Sequence, residues 1–236
     1  YDAEPLTIAG TGISSTGAMR NISGVNTWTG TIDMSSASLI YASAGTLNLN
    51  SGEAVRGADL PLTIYAAGGS FINVNGSIVT GSGGVTKTGT GTCTFYAASS
   101  YTGATTVTAG VLNIQNPSAL GTTDGSTTVN SGATLQLQGG MTYNAEPLTL
   151  AGSGVSNYGA LRNVSGDNSW TGPVTLSAAT RIYSTAGTLT INAAHSVTAA
   201  NFNLVSAGAG NITITGTIDT GSGTLTKNDA GTLTLT

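Results

Sequence analysis

The sequence of 236 residues is poor in charge, since Asp, Glu, Lys and Arg make up only 7% of it, against about 25% in typical soluble domains. Its six basic residues are too few and too scattered to follow a phosphate backbone, which argues against nucleic acid as a partner. The single cysteine, Cys93, excludes an internal disulfide and a multi-cysteine zinc site. No apolar run approaches about 18 residues, so we expect no membrane insertion by this segment.

Proline is also scarce, with 5 residues, whereas glycine is abundant, with 35. The glycines follow no Gly-X-Y period, which excludes collagen. Disordered chains are usually rich in charge and proline, whereas 39% of this chain is hydrophobic. The remainder is mostly Thr, Ser, Asn and Gly. Strand-forming Thr mixed with turn-forming Gly, Ser and Asn predicts many short strands joined by many turns.

Short runs of strict alternation between apolar and polar residues recur along the chain. They include GTLNLN (45–50), GATLQLQ (132–138) and GTLTLT (231–236). On a helix these apolar residues would scatter around the axis, whereas on a strand they share one face. No segment shows a convincing 3.6-residue period. The sequence therefore predicts an all-β protein with essentially no helix.

A long internal repeat dominates the organisation of the chain. The stretches 2–30 and 144–172 are identical at 19 of 29 positions, with an offset of 142 in the numbering. The stretch 76–96 matches 216–236 at an offset of 140. We interpret residues 1–236 as one continuous segment with a long repeat at 1–142 and an incomplete second copy at 143–236. Because Tyr1 aligns with Tyr143 and the chain stops inside an alternating run, we expect it to be part of a longer protein.

Alternation with internal repetition leaves a β-sandwich, a propeller or a β-solenoid as the architecture. A propeller would repeat at about 40 to 50 residues, and a sandwich would not produce a long internal duplication. A solenoid would, because each coil touches only its neighbours and coils can be duplicated in blocks. Coils of about 20 to 22 residues predict a parallel β-solenoid of about eleven coils. Low charge agrees with this, since stacked charges would repel their own copies.

Residues 89–114, GTGTCTFYAASSYTGATTVTAGVLNI, resemble the passenger-associated transport repeat of bacterial autotransporter proteins. The matching positions are a Tyr-Thr-Gly at 101–103, a Thr-Val at 106–107 and Gly110, Val111 and Leu112. NTWTG (26–30) and NSWTG (168–172) are similar to the same element, with Trp in place of Tyr. Cys93 and Phe95 depart from the pattern, because leucine is usual at both places.

The resemblance implies a right-handed parallel β-helix in a secreted or surface-displayed passenger region. We therefore predict a structural, non-catalytic segment of an extracellular stalk, adhesin or fibre, exported through the outer membrane to the bacterial cell surface. Its expected partners are neighbouring coils of the same parent chain, with self-association into fibres or glycan binding as further possibilities. A glycan-binding or polysaccharide-active module is the alternative function, and an ice-binding solenoid is a minor one.

The sequence points to no catalytic, cofactor-binding or metal-binding residues, and leaves any binding residues unknown. Catalysis on a β-helix needs acidic or basic groups clustered on one face, whereas the ten acidic residues here are widely spaced. Glu4 and Arg20, and their copies Glu146 and Arg162, could be neighbours on adjacent coils. We expect each pair to form a surface ion pair worth little. The calcium-binding nonapeptide is absent.

Two other reactive residues receive structural interpretations. Cys93 aligns with Leu233 inside an alternating apolar pattern, which predicts a buried, unreactive thiol that packs as a small hydrophobe. A nucleophile would need an adjacent base, and the nearest basic residue in sequence is Lys87. His195 has no partner motif, and we expect it at the surface or at a corner.

Aromatic residues recur at equivalent places in the repeats: Trp28, Trp170 and Tyr101 in one set, and Tyr41 and Tyr183 in another. Such residues could form a row that binds glycans, but we favour the interpretation that they plug the corners and interior of the coils. Asn21 and Asn163 either contribute to an asparagine ladder or begin the sequons NIS and NVS. The sequons carry little weight in a bacterial protein.

Overall fold

A computed structural model describes residues 3–193 and 195–236. The chain divides into two compact units, Tyr1–Gly125 (unit 1) and Ser126–Thr236 (unit 2). Within the described residues, secondary structure consists of short strands and two 3₁₀ turns of three residues, Ile13–Ser15 and Val155–Asn157. None of these described segments is a helix long and apolar enough to cross a membrane.

Thirteen strands lie in the described residues of unit 1, 3–125. They are β1 (Leu6–Gly10), β2 (Met19–Asn21), β3 (Val25–Trp28), β4 (Ile32–Ala42), β5 (Thr46–Leu49), β6 (Glu53–Gly57), β7 (Leu62–Ala66), β8 (Phe71–Val74), β9 (Ser77–Val79), β10 (Val85–Thr88), β11 (Thr92–Phe95), β12 (Thr105–Val107) and β13 (Gly110–Ile114).

Fourteen strands lie in unit 2 outside residue 194, which the structure does not describe. They are β14 (Thr127–Val129), β15 (Ala133–Gln138), β16 (Thr142–Tyr143), β17 (Leu148–Gly152), β18 (Leu161–Ser165), β19 (Asn168–Trp170), β20 (Val174–Ser184), β21 (Thr188–Asn192), β22 (Val197–Thr198), β23 (Leu204–Ala207), β24 (Asn211–Thr215), β25 (Ile218–Asp219), β26 (Leu225–Lys227) and β27 (Leu233–Leu235).

The strands of unit 1 stack in three parallel ladders. The first joins β1, the first half of β4, β6 and β9. The second joins β2, the second half of β4, β7, β10 and β12, and the third joins β3, β5, β8, β11 and β13. The coils shorten along the unit, since Leu6 pairs with Ile32 at its start whereas Val85 pairs with Thr105 near its end.

Unit 2 repeats this arrangement. Its first ladder joins β14, β17, the first half of β20, β22 and β25. Its second ladder joins β15, β18, the second half of β20, β23 and β26. Its third ladder joins β16, β19, β21, β24 and β27. The pairings named here for the two units are all parallel, and among the described residues each third ladder has five strands.

Buried and more exposed residues alternate along the strands, and the buried side chains form the interior of the coils. In β7, Leu62 and Ile64 are fully buried, while Tyr65, which follows Ile64, points outward. Ile40 lies directly before Ile64 in the ladder and is also fully buried. Identical strand faces thus stack into continuous aliphatic rows, and burial of this apolar surface is the main stabilising contribution.

Asparagine and aspartate side chains tie neighbouring coils together at the turns. Asp59 Oδ1 accepts a hydrogen bond from the Ser82 backbone N–H at 2.7 Å. Asp167 does the same for Thr188 at 2.8 Å, and Asn203 for Thr224 at 2.9 Å. Each of these bonds spans about one coil, so the turns are joined by side chains where the strand ladders are interrupted.

The fold prediction is confirmed in its main features: the part of the chain that the structure describes is an all-β parallel β-solenoid of about ten turns with essentially no helix. The right hand of the coil and the count of eleven coils stay predictions. So does the interpretation of residues 1–236 as one continuous segment with repeat boundaries at 142 and 143.

Candidate functional site

Cys93 occupies an inward position of β11 and is fully buried. Burial raises the pKa of its thiol to about 12, because the thiolate would lose its hydration. Only the thiolate is an effective nucleophile. The prediction that this thiol is buried is therefore confirmed, and its lack of reactivity stays a prediction.

Lys87, the nearest basic residue in sequence, lies inside unit 1 and is also fully buried. Its Nζ donates to the carbonyl oxygens of Thr88, Gly89 and Ala109 at 2.9, 2.8 and 3.0 Å. Burial lowers the pKa of the amine to about 8. Because its three hydrogen bonds end on backbone carbonyls of two successive coils, Lys87 acts as a bridge between coils.

Glu146 is 4% exposed, which corrects its expected place in a surface ion pair. Its Oε1 accepts a hydrogen bond of 2.6 Å from the Thr127 hydroxyl in the preceding coil. Burial raises the pKa of this carboxyl to about 7, although the bond from Thr127 partly opposes the shift. The copy in unit 1, Glu4, is exposed.

The predicted pairings Glu4–Arg20 and Glu146–Arg162 are wrong. Arg20 Nε donates to the Ser43 hydroxyl at 2.8 Å, and Arg162 Nε donates to the Thr185 hydroxyl at 2.9 Å. Both arginines therefore reach forward to the next coil instead of back toward the glutamate. The ion pair that does form among the described residues joins Arg56 and Glu53, three positions apart on an exposed edge of β6.

The aromatic residues of the first set fill the interior, as we favoured. Tyr101 is fully buried and its hydroxyl hydrogen bonds to the Thr105 hydroxyl at 2.7 Å. Trp170 is 1% exposed and lies 6.2 Å from the Tyr143 ring. Trp28 is half-buried. In the described part of the chain, the indole N–H groups of Trp28 and Trp170 are buried without a hydrogen-bond partner.

The second set forms short stacks on the outer face of the second ladder. Tyr41 and Tyr65 are parallel, with ring centroids 4.3 Å apart, and the Arg20 guanidinium lies 5.5 Å from the Tyr41 centroid. In unit 2, Tyr183 meets Tyr158 edge to face at 5.3 Å. Sugars bind by stacking on open aromatic faces, whereas the facing surfaces of Tyr41 and Tyr65 cover one another. This geometry favours a packing role.

Asn21 and Asn163 are 3% and 0% exposed, so their side chains are inaccessible in the folded chain and the sequons are not open acceptors. Each Nδ2 donates at 2.8 Å to a carbonyl in the next coil, on Ala44 and Ala186 respectively. Direct asparagine ladders occur elsewhere, between Asn48 and Asn73 at 2.8 Å. The asparagines thus connect coils.

His195 is exposed in a turn, as predicted, and its Nδ1 lies 3.1 Å from the Thr217 hydroxyl. Among residues 3–193 and 195–236, no three His, Cys, Asp or Glu side chains come close enough together to hold a metal ion. The titratable groups with the largest pKa shifts, Lys87, Cys93, Tyr143 and Glu146, lie inside the coils.

Sequence reasoning missed the roles of Lys87 and Glu146. For Lys87 a signal was available in the alternating run of β10. Lys87 lies two positions after the buried Val85, so both side chains point inward. For Glu146 no such signal existed, because the same motif occurs in both units and its other copy, Glu4, is exposed.

Comparison with known families gives one match: the passenger-associated-transport-repeat matches residues 85–114 and 225–236. These segments contain strands β10 to β13 and strands β26 and β27. No curated protein and no solved structure matches the chain. The matched repeat and the parallel β-solenoid together fit an autotransporter passenger repeat, as the sequence resemblance predicted, and this repeat implies a secreted or surface-exposed protein.

Proposed function

We propose that this chain is a non-catalytic structural segment of a stalk, adhesin shaft or fibre, exported through the outer membrane and displayed on a bacterial surface. The passenger repeat points to the passenger β-helix of an autotransporter, and in this proposal the stacked coils serve as a mechanical support.

One observation carries the proposal: the polar groups that could do chemistry are used as bridges between coils. The Lys87 ammonium contacts backbone carbonyls of two coils, and the Glu146 carboxyl accepts from Thr127 one coil earlier. Arg162 and Asn163 each reach about one coil forward. Groups held in this way stiffen the stack of coils. They are also not gathered on one face of the described chain, as acids and bases that act together in catalysis would be.

Such a stack should resist proteases, because cleavage requires a segment of backbone to leave its ladder. We expect the folded chain to survive proteinase K as a full-length band, and the chain unfolded in denaturant and diluted into the same protease to be degraded. Rapid fragmentation of the folded chain at internal turns would contradict the proposal.

The same preparation tests the other functions. A glycan array, a panel of polysaccharide substrates and a thermal hysteresis measurement should all give background signals. Saturable glycan binding that a Tyr65→Ala variant abolishes would support the lectin alternative instead, and turnover of any polysaccharide would end the non-catalytic assignment. Thermal hysteresis would favour the ice-binding alternative.

A further inference from the structure

Two tyrosines lie one above the other inside the stack of unit 1. Tyr41 belongs to the second half of β4 and Tyr65 to β7, and they are direct partners in the parallel ladder. Strand β2 precedes β4 in this ladder and β10 follows β7, so further coils flank the pair on both sides. Five consecutive residue pairs join the two strands without a register shift, which places the two tyrosines opposite one another.

The rings follow the register of their strands. Their planes differ by 6° and their centroids are 4.3 Å apart, close to the spacing of about 4.8 Å between neighbouring strands. One ring is therefore displaced from the other almost without rotation, so each ring carbon lies about 4.3 Å from its equivalent. Desolvation is the largest cause of the raised pKa of Tyr41, and the Tyr65 hydroxyl is the next, so the two hydroxyl groups are neighbours as well.

The buried core holds the two tyrosines in place. The residues on either side of each tyrosine are fully buried: Ile40, Ala42, Ile64 and Ala66. The tyrosine side chains themselves point outward and are half-buried. Their backbone is thus fixed by the interior of the coils, while the rings stay partly accessible to solvent and can turn about their own side-chain bonds.

This arrangement suits the oxidative coupling of two phenols. Loss of one electron and one proton from a tyrosine gives a phenoxyl radical, whose unpaired electron is shared between the oxygen and the flanking carbons Cε1 and Cε2. Two such radicals combine by forming a carbon–carbon bond between Cε atoms, and the hydrogen on each bonded carbon then moves to its phenol oxygen. Hydrogen peroxide, acting through a haem peroxidase, takes up the two electrons and the two protons and becomes two molecules of water.

We propose that Tyr41 and Tyr65 form a site of oxidative modification, at which a peroxide-dependent one-electron oxidant joins the two rings into dityrosine and links two successive coils covalently. The passenger repeat implies a secreted or surface-exposed protein, so the half-buried pair meets oxidants outside the cell. The link closes a loop of the chain from residue 41 to residue 65. It therefore constrains the unfolded state and stabilises unit 1, as a disulfide would.

Unit 2 offers a contrast within the same chain. Tyr183, the copy of Tyr41, has Ala207 as its partner in the next coil. Its ring meets Tyr158 edge to face, with centroids 5.3 Å apart and planes at 89°. Perpendicular rings do not bring their equivalent carbons together, and Tyr158 lies at the end of a 3₁₀ turn instead of in the ladder. We therefore expect no coupling at this second pair.

Oxidation of the dilute folded chain tests the site. Treatment with a haem peroxidase and hydrogen peroxide should produce dityrosine fluorescence in the band that runs as a monomer on a denaturing gel. Mass spectrometry should find the peptides that contain Tyr41 and Tyr65 joined, with the loss of two hydrogens. Tyr65→Phe should lose nearly all of this monomer signal, whereas Tyr183→Phe, the matched variant in unit 2, should keep it. Circular dichroism checks that both variants keep the β-solenoid.

A photochemical oxidant extends the test to the unfolded chain. A ruthenium tris-bipyridyl complex with persulfate oxidises tyrosine without the access that an enzyme needs, and it also works in denaturant. The link between Tyr41 and Tyr65 should form in the folded chain and fall in denaturant to the level of other tyrosine pairs. The linked chain should then unfold at a higher denaturant concentration than Tyr65→Phe treated in the same way, and equal midpoints would contradict the stabilising effect.

Three results would overturn the modification site. Tyr65→Phe could give the same monomer signal as the unaltered chain, or the mapped link could join Tyr158 and Tyr183 instead. The third is an absence of dityrosine in the monomer while N-acetyltyrosinamide couples normally in a parallel reaction. The coupling depends on ring geometry and not on the role of the stack, so each of these results would leave the stalk function standing.

Discussion

At the scale of single residues, burial alone changes the chemistry of several side chains. The Cys93 thiol, the Glu146 carboxyl and the Lys87 amine all have pKa values displaced toward the neutral form. Desolvation is the largest cause in each. Perturbed pKa values often mark active sites. These three groups, however, are buried between coils and do not line an open cleft, so we expect their pKa shifts to affect the free energy of unfolding.

Cys93 provides a direct probe of the interior. We expect no reaction with a thiol reagent at pH 8 in the folded chain, and full reaction after unfolding in denaturant, because the thiol is fully buried with a pKa of about 12. A variant with Cys93→Ala and Ser23→Cys, which moves the thiol to an exposed turn, should react within minutes while folded. Comparable labelling rates for the two folded proteins would refute the burial.

Glu146 should make the stability of unit 2 depend on pH. Its folded pKa of about 7 lies above the ordinary 4.5, so the folded state favours the protonated carboxyl. The stabilisation is complete below about pH 4.5 and is lost as the pH rises through about 7. At pH 8, Glu146→Gln should therefore be more stable than the unaltered chain by up to about 3 kcal/mol, and the two should converge at pH 4.5.

Denaturant unfolding at both pH values measures this effect, and Glu4→Gln is the matched control. Because Glu4 is the exposed copy of the same residue, its substitution should change the free energy of unfolding by less than about 0.5 kcal/mol. An equal benefit from both substitutions would show that general charge reduction, and not burial at position 146, is responsible.

At the scale of the elements, the turns determine how closely successive coils approach. Gly76 lies directly over the preceding turn, where a Cβ atom would overlap the Ser51 carbonyl oxygen, whereas a Cβ on Gly52 would meet open space. Parallel strands lie about 4.8 Å apart, which leaves no room for a side chain at such crossings. Glycine at these turns is therefore required by the stacking of the coils.

The two glycines give a matched pair of substitutions. Gly76→Ala should destabilise unit 1 by about 1–3 kcal/mol, because the added methyl forces neighbouring coils apart. Gly52→Ala should be neutral or should stabilise by up to about 1 kcal/mol, since alanine restricts the unfolded chain without a clash. Thermal and denaturant unfolding compare them. Equal losses would mean that loss of glycine flexibility, and not close approach, sets the cost.

At the scale of the whole molecule, each coil forms contacts mainly with the coils before and after it. In unit 1 the residues of β10 pair with β7 on one side and β12 on the other, and β11 pairs with β8 and β13. Stability in such proteins is approximately a sum over repeats and their interfaces. The coil is therefore the unit that can be added or removed.

Excision of one coil tests this modularity. Val85 of β10 pairs with Leu62 of β7, which lies one coil earlier in the ladder. Deletion of the stretch 62–84 therefore lets β10 take the place of β7 and β11 the place of β8. We expect a folded protein whose denaturant m-value is lower by about a tenth. Deletion of the stretch 62–73, about half a coil, should abolish cooperative unfolding of unit 1, because every later strand would meet the wrong ladder. Similar behaviour of the two deletions would contradict the solenoid register.

The passenger repeat was recognisable from the sequence because its signals are local. The Tyr-Thr-Gly at 101–103 and the spaced Thr, Gly and Leu that follow it belong to one strand–turn–strand unit, and the family match falls on it. The burial of Cys93 was predictable for the same reason, since its place in an alternating run is set by neighbours along the chain. The partners of Arg20 and Arg162 were not, because they lie a full coil ahead.

Sequence by itself determined the all-β class, the parallel stacking of repeats and the identity of the inward rows, because alternation and duplication are properties of the chain alone. Tertiary structure decided which polar side chains join successive coils: the Lys87 amine donates to the Ala109 carbonyl, and the Arg162 guanidinium donates to the Thr185 hydroxyl, each about one coil ahead. The physical reason is that such a partner becomes a neighbour only when the coils stack, and a residue's own sequence neighbours carry no record of that coil.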